Sequence, residues 1–134
     1  MVVLKLKQLI IILSILASSC MNKSIHYEYA DGSANLYLLS ETELRYLPVT
    51  AGQSSTGSYS GGEPQTLSVT SAQFNELKEL FDQALENTSI HLPERIKTSG
   101  MISVMGSSKK QCIIPPNCAE MKAIEMKLKE LMAK

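Results

Sequence analysis

The stretch from residue 25 to residue 39 reads Ile-His-Tyr-Glu-Tyr-Ala-Asp-Gly-Ser-Ala-Asn-Leu-Tyr-Leu-Leu. In its first part, apolar and aromatic side chains alternate with polar ones, which is the period-two pattern of a strand with one buried face. Asp31-Gly32 then gives a strong hairpin signal, and a second run rich in leucine and tyrosine ends at Leu39. The stretch therefore predicts a β-hairpin, from which we expect a sheet to be built outward.

Further strands are predicted by short apolar or alternating runs at residues 44–49, 65–69, 101–105 and 110–114. Pro48 restricts the first of these to a sheet edge or to its own last residues, because proline cannot donate to a strand ladder. The intervening segment 50–64 is rich in glycine and serine and contains few apolar side chains. Such a composition predicts a loop and the most mobile part of the domain.

Two helices follow capping-box signals, one at residues 70–73 and one at residues 117–120. Apolar side chains at three- and four-residue spacing extend the first helix to about Glu86, with Asn87 as its C-terminal cap, and the second helix to the C-terminus. The order of these elements predicts one α+β domain over residues 25–134. We expect a small antiparallel sheet of about five or six strands packed with two helices.

The N-terminus has the order of a signal peptide. Lys5 and Lys7 precede an apolar run at residues 9–17, and small residues follow before Cys20. The apolar run has nine residues, whereas a permanent transmembrane helix requires roughly 20. We therefore expect this segment to direct export rather than to remain in the membrane as a span.

The residues Leu16-Ala17-Ser18-Ser19-Cys20 resemble the lipobox of bacterial lipoproteins. The usual lipobox has leucine three residues before the cysteine and glycine or alanine directly before it, so Leu16 and Ser19 depart from the pattern. The resemblance implies that residues 1–19 are removed as a signal peptide, that Cys20 is acylated, and that residues 20–24 form a short tether. Ordinary secretion is the alternative, because small residues at the same bond also suit the general signal peptidase.

Met21 after the cysteine resembles lipoproteins sorted to the outer membrane, which predicts a lipid-anchored protein of the envelope facing the periplasm or the cell surface. Removal of residues 1–19 takes away Lys5 and Lys7 and no acid, and leaves 11 basic and 13 acidic side chains. This balance argues against a nucleic-acid partner, which requires concentrated lysine and arginine. The expected partners are the membrane, through the lipid anchor, and another envelope protein.

Cys112 and Cys118 remain as an even pair in an oxidising compartment. A disulfide joining the last strand to the last helix is favoured over two buried thiols. In the chain-entropy model so short a loop contributes about 2 to 3 kcal/mol. The spacing is not that of a Cys-x-x-Cys redox site, and His26 and His91 lie too far apart in sequence to predict zinc ligands.

No catalytic residue, cofactor or metal site is predicted, since no serine lies in a Gly-x-Ser-x-Gly pattern. Ser58, Tyr59 and Ser60 form a candidate contact loop, because tyrosine among serine and glycine combines contact area with adaptable hydrogen bonding. Most of the five tyrosines are expected to pack against the sheet. An exposed aromatic platform for a glycan or peptide is the alternative.

The sequence thus predicts a lipid-anchored envelope protein that acts by non-covalent binding and is not an enzyme. One alternative is a small exported enzyme or redox protein that uses His91 or the pair Cys112 and Cys118, which requires these groups to converge in a concave pocket. Another is a structural subunit or inhibitor in an envelope complex. An exposed apolar patch or an uncovered sheet edge would favour that alternative.

Overall fold

The computed structural model describes residues 24–134, so the predicted signal peptide, Cys20 and residues 21–23 of the tether lie outside the described residues. The described part contains one six-stranded antiparallel sheet and two α-helices, which confirms the predicted α+β class. The strands are β1 His26–Ala30, β2 Leu36–Leu39, β3 Glu43–Leu47, β4 Gln65–Ser68, β5 Gly100–Met105 and β6 Lys109–Ile114. The helices are α1 Ser71–Glu86 and α2 Ala119–Met132. Along the sheet the strand order is β4-β3-β2-β1-β5-β6.

The predicted hairpin of β1 and β2 is confirmed, but its turn is wider than a two-residue loop. The Asp31 amide donates to the Asn35 carbonyl at 3.0 Å, and the Ala34 amide donates to the Asp31 carbonyl at 3.0 Å. Ala34, rather than Gly32, takes the left-handed conformation, with φ 67°. Gly32 serves a close approach instead, because a Cβ there would lie 2.7 Å from the carbonyl oxygen of Thr98.

Both helices pack on one face of the sheet. Strand register places Tyr27 beside Leu39, and Leu39 beside Leu44, so one apolar row crosses three strands. The Phe81 ring of α1 stacks on Tyr27 with ring centroids 5.3 Å apart. The larger buried side chains of this core are Tyr27, Tyr29, Leu39, Leu44, Phe74, Leu77, Phe81, Ile102, Ile114, Ile124 and Leu128.

The two helices run antiparallel across that face. At one end Asn87 Nδ2 donates to Glu120 Oε1 at 2.8 Å, and towards the other end Lys127 forms an ion pair with Glu76. Asn87 caps the end of α1, and a capping box at Thr70 begins it, as predicted. The predicted start of α2 is wrong by one residue.

The cap of α2 is Cys118, whose Sγ accepts from the Met121 amide at 3.4 Å. The preceding residue, Asn117, takes the left-handed conformation with φ 59°. A residue at the N-cap of a helix has extended backbone angles, which Cys118 has and Asn117 lacks. The capping role therefore falls to the cysteine thiol.

The sheet has two ends with different loops. Residues 24–25 lead into β1 at the end that also carries the β2–β3 turn and the β5–β6 hairpin, which we call the tether end. The opposite, distal end carries the β1–β2 turn, loop 50–64, the connection 91–99 and the β6–α2 connection. Within residues 24–134, no helix is both long and apolar enough to cross a membrane.

Candidate functional site

Among residues 24–134, three residues other than glycine have left-handed backbone angles, and all three lie at the distal end. They are Ala34 with φ 67°, Thr98 with φ 64° and Asn117 with φ 59°. Asparagine tolerates this conformation, whereas a β-branched threonine adopts it only under constraint. Strained backbone of this kind costs on the order of 1 to 3 kcal/mol per residue and clusters at ligand-binding and catalytic sites. The distal end is therefore the candidate functional site.

A cleft of about 340 Å³ lies beside Thr98 and Asn117, between the β1–β2 turn and α2, and we call it the distal cleft. Its polar and aromatic lining includes Ser33, Tyr37, Thr98, Asn117, Glu125 and Lys129. These residues come from three segments that are distant in sequence. The distal cleft thus offers a carboxylate, a cation, an aromatic ring and hydroxyl groups to one bound molecule.

Tyrosine hydroxyls beneath the distal cleft are held in their neutral form. The Tyr29 hydroxyl donates to Glu125 Oε1 at 2.9 Å. Burial, reinforced by the charge of Glu125, raises the pKa of Tyr29 well above its usual value. Burial and the charge of Asp31 likewise raise the pKa of Tyr37. The Tyr29 hydroxyl therefore stays protonated in its hydrogen bond to Glu125, and Tyr37 is the tyrosine that lines the cleft.

Asn35 ties loop 50–64 to the β1–β2 turn. Its side chain is 4 % exposed, and its Nδ2 donates to Asp31 Oδ2 at 2.9 Å and to the Tyr59 hydroxyl at 3.0 Å. Its Oδ1 accepts from the Val49 amide at 2.9 Å. A Cβ on Gly61 would lie 2.1 Å from that same oxygen, so glycine is required there. The second half of the loop is thus fixed against the turn by partly buried hydrogen bonds.

The predicted contact loop lies at this end of the domain. Ser58, Tyr59 and Ser60 are all exposed, Tyr59 by 40 %. A second cleft of about 620 Å³ separates loop 50–64 from the β1–β2 turn, and Tyr59 forms part of its wall. Contact by this loop with a partner stays a prediction, but its place beside the left-handed residues makes it part of the candidate site.

The tyrosines are mostly packed, as expected. Tyr27, Tyr29 and Tyr46 are buried, and Tyr37 is half-buried with its ring centroid 4.9 Å from that of Tyr46. The rings therefore form an internal aromatic row rather than the exposed platform considered as the alternative. Tyr59 alone among them is exposed.

The predicted disulfide is not formed in this structure, where Cys112 and Cys118 are both free thiols. Burial, together with the neighbouring Cys118, raises the pKa of the Cys112 thiol to about 11. A thiol with so high a pKa is a poor nucleophile at neutral pH. The bridge between the two cysteines stays a prediction.

Both histidines form hydrogen bonds that do not involve the cysteines. His91 Nε2 donates to the Ala84 carbonyl at 2.8 Å, and His26 Nε2 lies 2.8 Å from the exposed Ser24 hydroxyl. In the part of the chain that the structure describes, no hydrogen bond joins a histidine to a cysteine. Over the same residues, no group of three or more His, Cys, Asp or Glu could hold a metal ion.

Sequence reasoning missed most of the distal cleft. Nothing in the local sequence singles out Ala34 or Thr98 as left-handed, and Asn117 was predicted to begin the capping box of α2, a position that requires extended backbone angles. Comparisons of the chain with protein-family models, with curated proteins and with solved structures found no match. The functional argument therefore depends on the geometry of this domain and on the sequence of its N-terminus.

Proposed function

We propose that this chain is a lipid-anchored bacterial cell-envelope protein whose domain acts by non-covalent binding at its distal end. One observation carries the proposal. The tether enters the domain at one end of the sheet, where β1 begins, and the left-handed residues lie at the opposite end. From an acylated Cys20 to Ile25 the chain extends at most about 18 Å. The tether end would then face the membrane, and the distal cleft would face away from it.

The chemistry of the distal end supports binding rather than catalysis. Glu125 Oε1 accepts from Tyr29, and the carboxylate of Asp31 accepts from its own turn, so these acids are fixed in place. Convergent polar groups of this kind orient a ligand or a partner loop. The raised pKa of Cys112 speaks against a redox role for the cysteines.

The face of the sheet away from the helices favours a second candidate, a structural subunit of an envelope complex. Register aligns five apolar side chains across five adjacent strands of this open face. They are Ile113, Met101, Ala30, Leu36 and Leu47, of which Ala30 is buried and the other four are half-buried. Antiparallel sheets commonly leave one face in water with polar side chains, so an apolar row there suits a protein partner.

The anchor is tested by Cys20→Ala. We expect the wild-type protein to carry the added mass of acyl chains and to fractionate with membranes. Cys20→Ala should leave the membrane fraction or accumulate as uncut precursor, because the thiol that receives the lipid is gone. Intact mass and membrane fractionation measure both effects. Cys112→Ala and Cys118→Ala are the matched controls and should stay acylated, whereas an unmodified soluble wild type would contradict the anchor.

The binding surface is tested by photo-crosslinking in cells. A photoreactive amino acid replaces Tyr59 at the distal end, Gln111 on the open face, or Met126 on α2, which is 70 % exposed and serves as the control. We expect discrete adducts from position 59 and none from position 126, read on immunoblots. Adducts from position 111 alone would favour the subunit instead, and the absence of adducts at both positions would count against a binding role.

A further inference from the structure

A cleft at the tether end lies between the second half of α1 and the β5–β6 hairpin, and we call it the hairpin cleft. Its volume is about 270 Å³, slightly below the usual range for small-molecule sites. Its lining includes Ile25, Lys78, Asp82, Glu86, Ser107 and Lys110. This size suits a small polar headgroup better than a drug-sized molecule.

Two charged side chains of the hairpin cleft, Lys78 and Asp82, form an ion pair with each other. Lys78 Nζ lies 2.6 Å from Asp82 Oδ2, and Asp82 Oδ1 accepts from the Tyr27 hydroxyl at 2.7 Å. Lys110 and Glu86 are different, because neither forms an ion pair with any residue from 24 to 134. The cleft therefore presents one cation and one anion for an external partner.

Apolar side chains form the remainder of the hairpin cleft. Leu85 and Val104 line it, and Ile25 is 37 % exposed at its rim. A Cβ on Gly106 would meet Ile25 Cγ1 at 3.8 Å. The tip of the β5–β6 hairpin therefore lies against Ile25, the residue directly before β1. The cleft is thus amphiphilic and lies where the tether enters the domain.

The position of the hairpin cleft brings it within reach of lipid headgroups. Ile25 lies at most about 18 Å of extended chain from Cys20, and the headgroup layer lies directly outside the hydrocarbon core that acyl chains occupy. This step rests on the proposed lipid anchor. If Cys20 is anchored, the membrane itself would supply the ligand of the hairpin cleft.

We propose that the hairpin cleft binds the headgroup of a phosphoethanolamine lipid. The phosphate would pair with Lys110 and accept from the exposed hydroxyls of Ser107 and Ser108, while the ammonium group would donate to Glu86. Charge complementarity favours this headgroup, because an anionic lipid without an amine leaves Glu86 unpaired and repelled. Lipid binding would hold the domain in one orientation, with the distal cleft directed away from the membrane.

The test uses the acylated protein in nanodiscs of phosphatidylcholine alone, or with added phosphatidylethanolamine or phosphatidylglycerol. We expect amide hydrogen exchange at residues 105–110 to slow by about tenfold only with phosphatidylethanolamine. Lys110→Gln and Glu86→Gln should each abolish the slowing. Lys109→Gln is the matched control and should keep it, because adjacent residues of β6 point to opposite faces.

Equal slowing with phosphatidylglycerol would mean that the cleft responds to anionic charge, and equal slowing with phosphatidylcholine would mean proximity to the bilayer only. Either result overturns the proposal. Intact mass and incorporation into nanodiscs are measured first. An unacylated protein that stays outside the discs refutes the anchor, whereas an incorporated protein without lipid-dependent slowing refutes the headgroup site alone.

Discussion

Alkaline pH should unfold this domain steeply, with the free energy of unfolding falling by about 1.4 kcal/mol per pH unit above pH 10 for each tyrosine held neutral in the folded state. Tyr27 is 2 % exposed and Tyr29 is fully buried. Burial raises the pKa of both, and hydrogen bonds to Asp82 and Glu125 raise them further. Ionisation of either hydroxyl would place a second negative charge beside a carboxylate.

The direction of this pH effect follows from the numbers of protons bound by the folded and the unfolded chain. A tyrosine of the unfolded chain loses its proton near pH 10, whereas Tyr27 and Tyr29 keep theirs in the folded domain. Above that pH the unfolded chain binds fewer protons, so rising pH favours unfolding. This contribution to stability is complete below pH 10 and is lost progressively as the pH approaches the raised pKa values of the folded state.

Urea unfolding between about pH 8 and pH 11 measures the slope. Tyr27→Phe and Tyr29→Phe keep the rings and remove the ionisable groups, so each should reduce the slope above pH 10 by up to about 1.4 kcal/mol per pH unit. The double variant should show the sum of the two reductions. A double variant that retains the wild-type slope would show that these hydroxyls are not responsible for it.

The elements with local signals were predictable from sequence. Alternation predicted β1, and a capping box with an apolar stripe predicted α1, because each pattern expresses burial of one face of one element. The sheet order was not predictable. Strand β1 pairs with β5 through Tyr29 and Ile102, and periodicity carries no information about which distant strands pair.

The candidate site was less predictable than the fold. The exposed Tyr59 was identified from the serine and glycine residues around it, but Thr98 and Glu125 become part of one cleft only through tertiary contacts. The same holds for Glu86 and Lys110 in the hairpin cleft. Because these side chains come from segments far apart in sequence, no fixed residue spacing marks them as a motif.

The remaining large effect is expected at the centre of the helix–sheet interface, where Phe81→Ala should lower the free energy of unfolding by about 3 to 5 kcal/mol. Phe81 is 1 % exposed and stacks on Tyr27, with its ring centroid also 6.2 Å from that of Tyr29. Its removal leaves a cavity beneath α1 that rigid strand residues cannot fill. Small domains have stabilities of about 5 to 15 kcal/mol, so the loss would be a large fraction of the total.

Urea unfolding followed by far-ultraviolet circular dichroism measures this loss. Met126→Ala is the matched control, since Met126 lies on α2 but is 70 % exposed, and its effect should stay within about 0.5 kcal/mol. A loss below about 1 kcal/mol for Phe81→Ala would contradict the packing of α1 against β1. Because α1 also forms one wall of the hairpin cleft, the same variant should reduce the lipid-dependent slowing of hydrogen exchange that the proposed headgroup site predicts at residues 105–110.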